Sequence, residues 1–130
     1  MHEPPLILVI DDSVEFLEII SIGLRGAGFE IKTAVNVAAG TEIARNDMPD
    51  LILLDINMPG VNGTEIFLDF KKDPELSKLK VAFLTSMSLP WPGIRDKEKF
   101  SKEIGAAMFF DKDMDFETLG QKIKSILGRP

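Results

Sequence analysis

The 130 residues predict an α/β fold, a doubly wound parallel sheet of five strands flanked by five helices. Three observations carry that prediction. Short apolar segments alternate with segments of helical periodicity along the whole chain, the pattern of successive βα units. Three of the short segments, LILVI, LILL and VAFL, show no polar alternation, as expected when both faces of a parallel strand are covered. Capping and stop residues fall between the segments.

Leu6–Ile10 opens the series as a run of aliphatic residues, read as the first strand. A helix follows from Ser13 to Ala27: Phe16, Ile19, Ile20, Gly23 and Ala27 share one face, Leu17 and Leu24 widen it, Ser13 or Asp12 can cap it and Gly28 can end it. Ile31–Val35 is the second strand. Val37–Asn46 is the second helix, with Asn36 as cap and Asp47-Met48-Pro49 as stop. Leu51–Leu54 is the third strand, and Thr64–Lys72 the third helix, closed by Asp73-Pro74. Val81–Leu84 is the fourth strand. Residues 93–104 form a weaker helix with Ile94, Phe100 and Ile104 as its large apolar contacts, after the irregular loop MSLPWPG. Met108–Phe110 and Phe116–Leu127 complete the alternation as strand and helix. The reading is one domain over 1–130 with its core at about 5–128.

Composition narrows the function. Hydrophobic residues at 45% and charged residues at 28% match an ordinary globular domain. No apolar run reaches the roughly 20 residues that span a bilayer, and MHEPPLILVIDD lacks the basic start of a secretory signal. A cytoplasmic protein without a membrane segment is the expectation. The net charge of −6 argues against nucleic acid or anionic lipid, both of which call for a basic footprint. With no cysteine, disulfides, thiolate metal sites and cysteine nucleophiles are excluded.

In doubly wound sheets the working site lies beyond the carboxyl ends of the strands. There the sequence has Asp11 and Asp12 after the first strand, Asp55 after the third, Thr85 and Ser86 after the fourth and Lys112 after the fifth. Two carboxylates about 4 Å apart repel by roughly 4 kcal/mol at an effective dielectric near 20, so a cluster of three calls for a cation or for raised pKa values. An all-oxygen donor set suits Mg²⁺. Asp55 is then positioned to attack a phosphoryl group and form an acyl phosphate, with Lys112 neutralising charge and Thr85 donating a hydrogen bond. No histidine is required near the site, and the single histidine is His2. A lone acid at a strand end is ordinarily a cap and a lone lysine ordinarily solvated; the conjunction of five positions on four strands carries the argument.

The acidic pair in VIDDS, the aspartate in LLDINMPGVNG, the hydroxyl in LTS and the lysine in FFDK, in that order, resemble the receiver domain of two-component response regulators over nearly the whole chain. The resemblance implies a flavodoxin-like strand order 2-1-3-4-5 and a phosphoacceptor, Asp55, that takes phosphate from a sensor histidine kinase or a histidine phosphotransfer protein. It further implies Mg²⁺ bound by Asp11, Asp55 and the backbone carbonyl of Asn57, with Asp12 direct or through water. Thr85 becomes the switch hydroxyl and Phe109 the switch aromatic, and Pro59 and Gly63 match the loop after the third strand. Asn57 and Met87, two residues after the phosphoacceptor and the switch hydroxyl, are expected to tune the lifetime of the acyl phosphate. Phosphorylation would switch the face made by the 93–104 segment, the fifth strand and the last helix for an unidentified downstream protein, the chain acting as a monomer or a phosphorylation-dependent dimer. The protein would catalyse only its own phosphorylation and dephosphorylation.

Two features depart from the pattern. Asp113 stands where receivers usually have proline, and the span from Thr85 to Lys112 is long and contains Pro90-Trp91-Pro92. Two other readings stay open: a constitutive interaction module on the same fold, and a haloacid-dehalogenase-type phosphatase, which needs an aspartate where Asn57 stands.

Overall fold

The computed structural model describes residues 2–56, 58, 63–85 and 108–128, with backbone alone at 63, 64, 108 and 109. Its strands are β1 (Leu6–Ile10), β2 (Glu30–Ala34), β3 (Leu51–Asp55), β4 (Val81–Thr85) and β5 (Met108–Asp111). Its helices are α1 (Val14–Gly26), α2 (Val37–Asp47), α3 (Gly63–Lys72) and α4 (Phe116–Ile126), with a 3-10 turn at Leu76–Lys78 that the sequence reading did not anticipate. The described residues thus hold four of the five expected helices; the expected helix at 93–104 and the MSLPWPG loop lie outside them.

All four strand pairings are parallel, in the order β2-β1-β3-β4-β5. Every residue of β1, β3 and β4 is buried, which is why those segments carry no polar alternation. Successive side chains enter opposite layers. Ile7, Val9, Leu51, Leu53, Ala82 and Leu84 pack with Leu17, Ile20 and Leu24 of α1 and Leu119 and Ile123 of α4. Leu8, Ile10, Ile52, Leu54, Val81 and Phe83 pack with Ala44 of α2 and Phe67 and Phe70 of α3. Each of the buried valine, leucine, isoleucine and phenylalanine side chains contributes roughly 1.5–3 kcal/mol by leaving water.

The helix ends follow local chemistry. Ser13 Oγ accepts the Phe16 amide at 3.2 Å, Asn36 Oδ1 the Ala39 amide at 2.8 Å and Asp115 Oδ1 the Thr118 amide at 2.8 Å, each satisfying a donor that has no partner inside its helix. Gly28, at φ +99°, turns the chain out of α1 while its amide and that of Phe29 reach back to the carbonyls of Arg25 and Leu24. The buried face of α1 is Leu17, Ile20, Ser21 and Leu24. Ile19, expected on that face, is 56% exposed, because the stripe turns toward the 17-20-24 row that meets the sheet.

Candidate functional site

The parallel ladder aligns the strand ends. Ile10 pairs with Leu54, Asp55 with Leu84, and Thr85 with Asp111. The backbone bonding continues one residue further: the Asp11 amide donates to Ala34 O at 3.0 Å, Ile56 to Leu84 O at 3.1 Å, and Lys112 to Thr85 O at 2.9 Å. Asp11, Asp55, Thr85 and Lys112 are therefore held at one edge by sheet geometry rather than by loops. Asp11, Asp55 and Thr85 are buried and Asp12 is exposed.

The Lys112 ammonium lies 2.6 Å from Asp11 Oδ2 and 3.1 Å from Asp55 Oδ2, and 4.8 Å from the centre of the Phe16 ring. Burial alone would lower the lysine's pKa, but the hydrogen bond to Asp11 and the charge of Asp55 outweigh it and raise the value above the usual 10.5. Lys112 is thus a fixed cation. The second oxygen of Asp11 accepts the Ser13 amide at 2.9 Å, so one carboxylate joins the lysine to the capped start of α1. Apart from its ion pair, Asp11 Oδ2 accepts no hydrogen bond among the described residues. The Thr85 hydroxyl is buried and likewise without a partner among them, an arrangement that ordinarily has a reason.

Asp11, Asp12 and Asp55 each offer a carboxylate oxygen, and the three lie within 4.8 Å of one another. With the lysine included, the set carries a formal charge of two minus. Hard oxygen donors and that charge fit a divalent cation of the Mg²⁺ type.

Of the residues expected to act here, Asp11, Asp12, Asp55 and Lys112 come together, and Thr85 ends the strand beside Asp55. Phe109 pairs in register with Phe83 in β5; its side chain, together with Asn57, Pro59, Ser86, Met87 and Trp91, lies outside the described residues. Gly63 begins α3. Asp113 is exposed, and its amide donates to Asp111 Oδ1 at 2.8 Å while Met114 closes on Asp111 O at 3.0 Å. A proline has no amide hydrogen to give, so this closure of the turn on Asp111 Oδ1 is one that the usual proline could not make. Sequence reasoning missed Phe16 as a neighbour of Lys112, seeing only its place on an apolar helix face. The signal was its position in the first turn of α1, four residues past Asp12.

Comparison with known proteins now bears on the arrangement. The family model for the response regulator receiver domain matches residues 7–124. The chain belongs to the response regulator receiver family. This receiver is 32% identical over 124 residues to the protein PilH of Pseudomonas aeruginosa, covering 93% of this chain and 96% of that one. It is 29% identical over 121 residues to sporulation initiation phosphotransferase F of Bacillus subtilis, covering 93% and 92%. It also matches the transcriptional regulator RpaA of Synechocystis at 30% identity, where it covers 96% of its own length and spans only 50% of the relative. Among solved structures, chemotaxis protein CheY4 of Vibrio cholerae superposes with a TM-score of 0.78 at 25% identity, covering 94% of this chain and 98% of that one. A receiver domain from Clostridium thermocellum reaches 0.79 at 26%, with 95% and 94% covered. Receiver domains are signalling modules of two-component systems, not enzymes in the ordinary sense, and they bind Mg²⁺ at an acidic cluster such as that of Asp11, Asp12 and Asp55. No helix among the described residues is long and apolar enough to cross a membrane.

Proposed function

We propose that this receiver accepts a phosphoryl group on Asp55 from a phosphohistidine of a sensor kinase or histidine phosphotransfer protein. The observation that carries the reading is the buried contact of the Lys112 ammonium with both Asp11 and Asp55 at an edge that also holds the buried Thr85 hydroxyl, which has no hydrogen-bond partner among the described residues. An oxygen of Asp55 attacks phosphorus, the P–N bond to the donor imidazole breaks, and the imidazole leaves with the bonding pair. Lys112 offsets the charge gathering on the phosphoryl oxygens. Asp11, Asp12 and Asp55, with the backbone carbonyl of Asn57, would hold Mg²⁺, which when bound supplies further neutralisation of the phosphoryl charge. Asp11 orients Lys112 and is itself held by the Ser13 amide.

The Thr85 hydroxyl is the residue through which phosphorylation is read. A hydrogen bond from it to a charged phosphoryl oxygen contributes about 1.5–3 kcal/mol, a shift of roughly ten- to a hundredfold in a two-state equilibrium. Phe109 takes the space vacated as the β4 end moves inward, and the altered face around β5 and α4 meets the downstream protein. Asn57 and Met87 set how readily water reaches the acyl phosphate. The donor docks on α1: Val14 and Ile22 are 58% and 73% exposed and, with Val35 and the polar Glu18, Arg25 and Thr33, border a groove of about 460 Å³.

Incubation with acetyl phosphate and Mg²⁺, followed by intact-mass measurement, tests the reading. The parent protein should gain one phosphoryl group and Asp55→Asn none. Equal labelling of the two would move the acceptor elsewhere. No labelling of either, with the fold intact, would favour a constitutive interaction module.

A further inference from the structure

The segment DDSVEF, residues 11–16, sets a carboxylate and an aromatic ring against the same ammonium group. Asp11 Oδ2 lies 2.6 Å from Lys112 Nζ, and Asp11 Oδ1 accepts the Ser13 amide at 2.9 Å. Ser13 Oγ in turn accepts the Phe16 amide at 3.2 Å. The cap of α1 thus ties carboxylate and ring into one short turn. Lys112 Nζ stands over the ring, 4.8 Å from its centre, inside the roughly 6 Å at which an aromatic face attracts a cation. Packing of α1 does not by itself call for an aromatic residue at this place: the buried face of the helix is Leu17, Ile20, Ser21 and Leu24, and Phe16 stands beside it, half-buried and packed in part against the same layer. An ammonium has three N–H groups. Asp11 Oδ2 and Asp55 Oδ2, at 2.6 and 3.1 Å, engage it on one side, the ring covers another, and 17% of the lysine side chain stays exposed.

We propose that Phe16 is a positioning residue for phosphoryl transfer, acting through Lys112; the inference rests on Asp55 being the acceptor. As an Asp55 oxygen becomes bonded to phosphorus, negative charge passes from the carboxylate to the phosphoryl oxygens, and the ammonium has to follow it. Lysine carries its charge on a flexible four-carbon stem and is strongly hydrated, so nothing in its own chemistry keeps it at the edge of the sheet. The ring does so by attraction spread over its face. It holds the ammonium near the acids, keeps water from one side and leaves the N–H groups free to turn from one oxygen to another. An aliphatic side chain would fill the same space without that attraction.

Phe16→Leu and Phe16→Met keep an apolar side chain without the ring, and Phe16→Tyr keeps the ring. Parent and variants are labelled with acetyl phosphate at saturating Mg²⁺, the P–O bond to acetate breaking as Asp55 attacks and acetate leaving with the bonding pair. A donor this small keeps any loss of protein docking on α1 out of the rate. Separately, spectra of the ¹³C-lysine-labelled full chain are recorded in EDTA with no phosphodonor. The two ring-free variants should label roughly three- to tenfold more slowly than the parent, and Phe16→Tyr should restore the rate. The ε-methylene protons of Lys112 should lie upfield in the parent and in Phe16→Tyr, under the ring, and move downfield in Phe16→Leu and Phe16→Met. Parent rates in the ring-free variants would overturn the proposal, as would a Phe16→Tyr protein as slow as they are, or Lys112 resonances indifferent to the substitutions. No labelling of the parent would remove the acceptor reading and this proposal with it, whereas a failure confined to the Phe16 variants leaves Asp55 as the acceptor.

Discussion

Asp73 and Asp115 are held below the ordinary carboxylate value of 3.8, Asp73 by the Arg45 guanidinium and then the Leu76 and Glu75 amides, Asp115 by the Thr118 amide and hydroxyl. A depressed folded-state pKa means that the unfolded chain binds the proton first as pH falls, so the stabilisation is complete above about pH 4 and lost below it. Asp115→Asn keeps a capping oxygen but removes the titration. Its stability should therefore fall less steeply than the parent's between about pH 4 and pH 2, read by thermal unfolding across that range. The site was legible at this scale because each of Asp11, Asp55, Thr85 and Lys112 ends or follows an apolar run, and strand ends converge by topology alone. Phe16 and Asp111 were not legible: the role of one depends on where the Lys112 chain folds, that of the other on a turn whose closing amide belongs to Asp113.

The seam between α1 and α4 depends on the missing side chain of Gly23. A Cβ there would clash with Phe116 Cγ, at the root of a ring packed on the core and with little freedom to yield. Overpacking costs typically about 1–3 kcal/mol, against about 1 kcal/mol gained in helix propensity. Gly23→Ala should lower the urea midpoint, and the loss should shrink in a Phe116→Leu background. At α2 the sign is simpler: Asn36→Ala removes the bond to the Ala39 amide and should cost about 1 kcal/mol, a fall of roughly 3–5 °C in melting temperature. Most elements could be read from spacing, yet β2 shows the limit. Its residues run exposed-buried-exposed-exposed-buried, and Val35, counted as strand from its β-branching, lies past the end and half in solvent. An edge strand has one neighbour, so a run of β-formers does not say where pairing stops.

At the scale of the molecule the sheet divides the apolar interior into two layers that, among the described residues, share no side chain. Ile52→Val in one layer and Ile123→Val in the other should each cost about 0.5–1.5 kcal/mol and add to within about 0.5 kcal/mol in the double variant, measured by urea unfolding. That the layers exist followed from the unalternating strands; which helix covers which face did not, because a run such as LILVI presents the same character to both sides. The outer margin of the molecule has a consequence of another kind. β2 borders the sheet with Glu30, Lys32 and Thr33 turned to solvent, and Lys32 is tethered to Asp47 at 2.7 Å. A second copy arriving to extend the ladder at β2 would have to strip water from that tethered cation and its neighbours, a cost that disfavours edge-to-edge pairing along this strand.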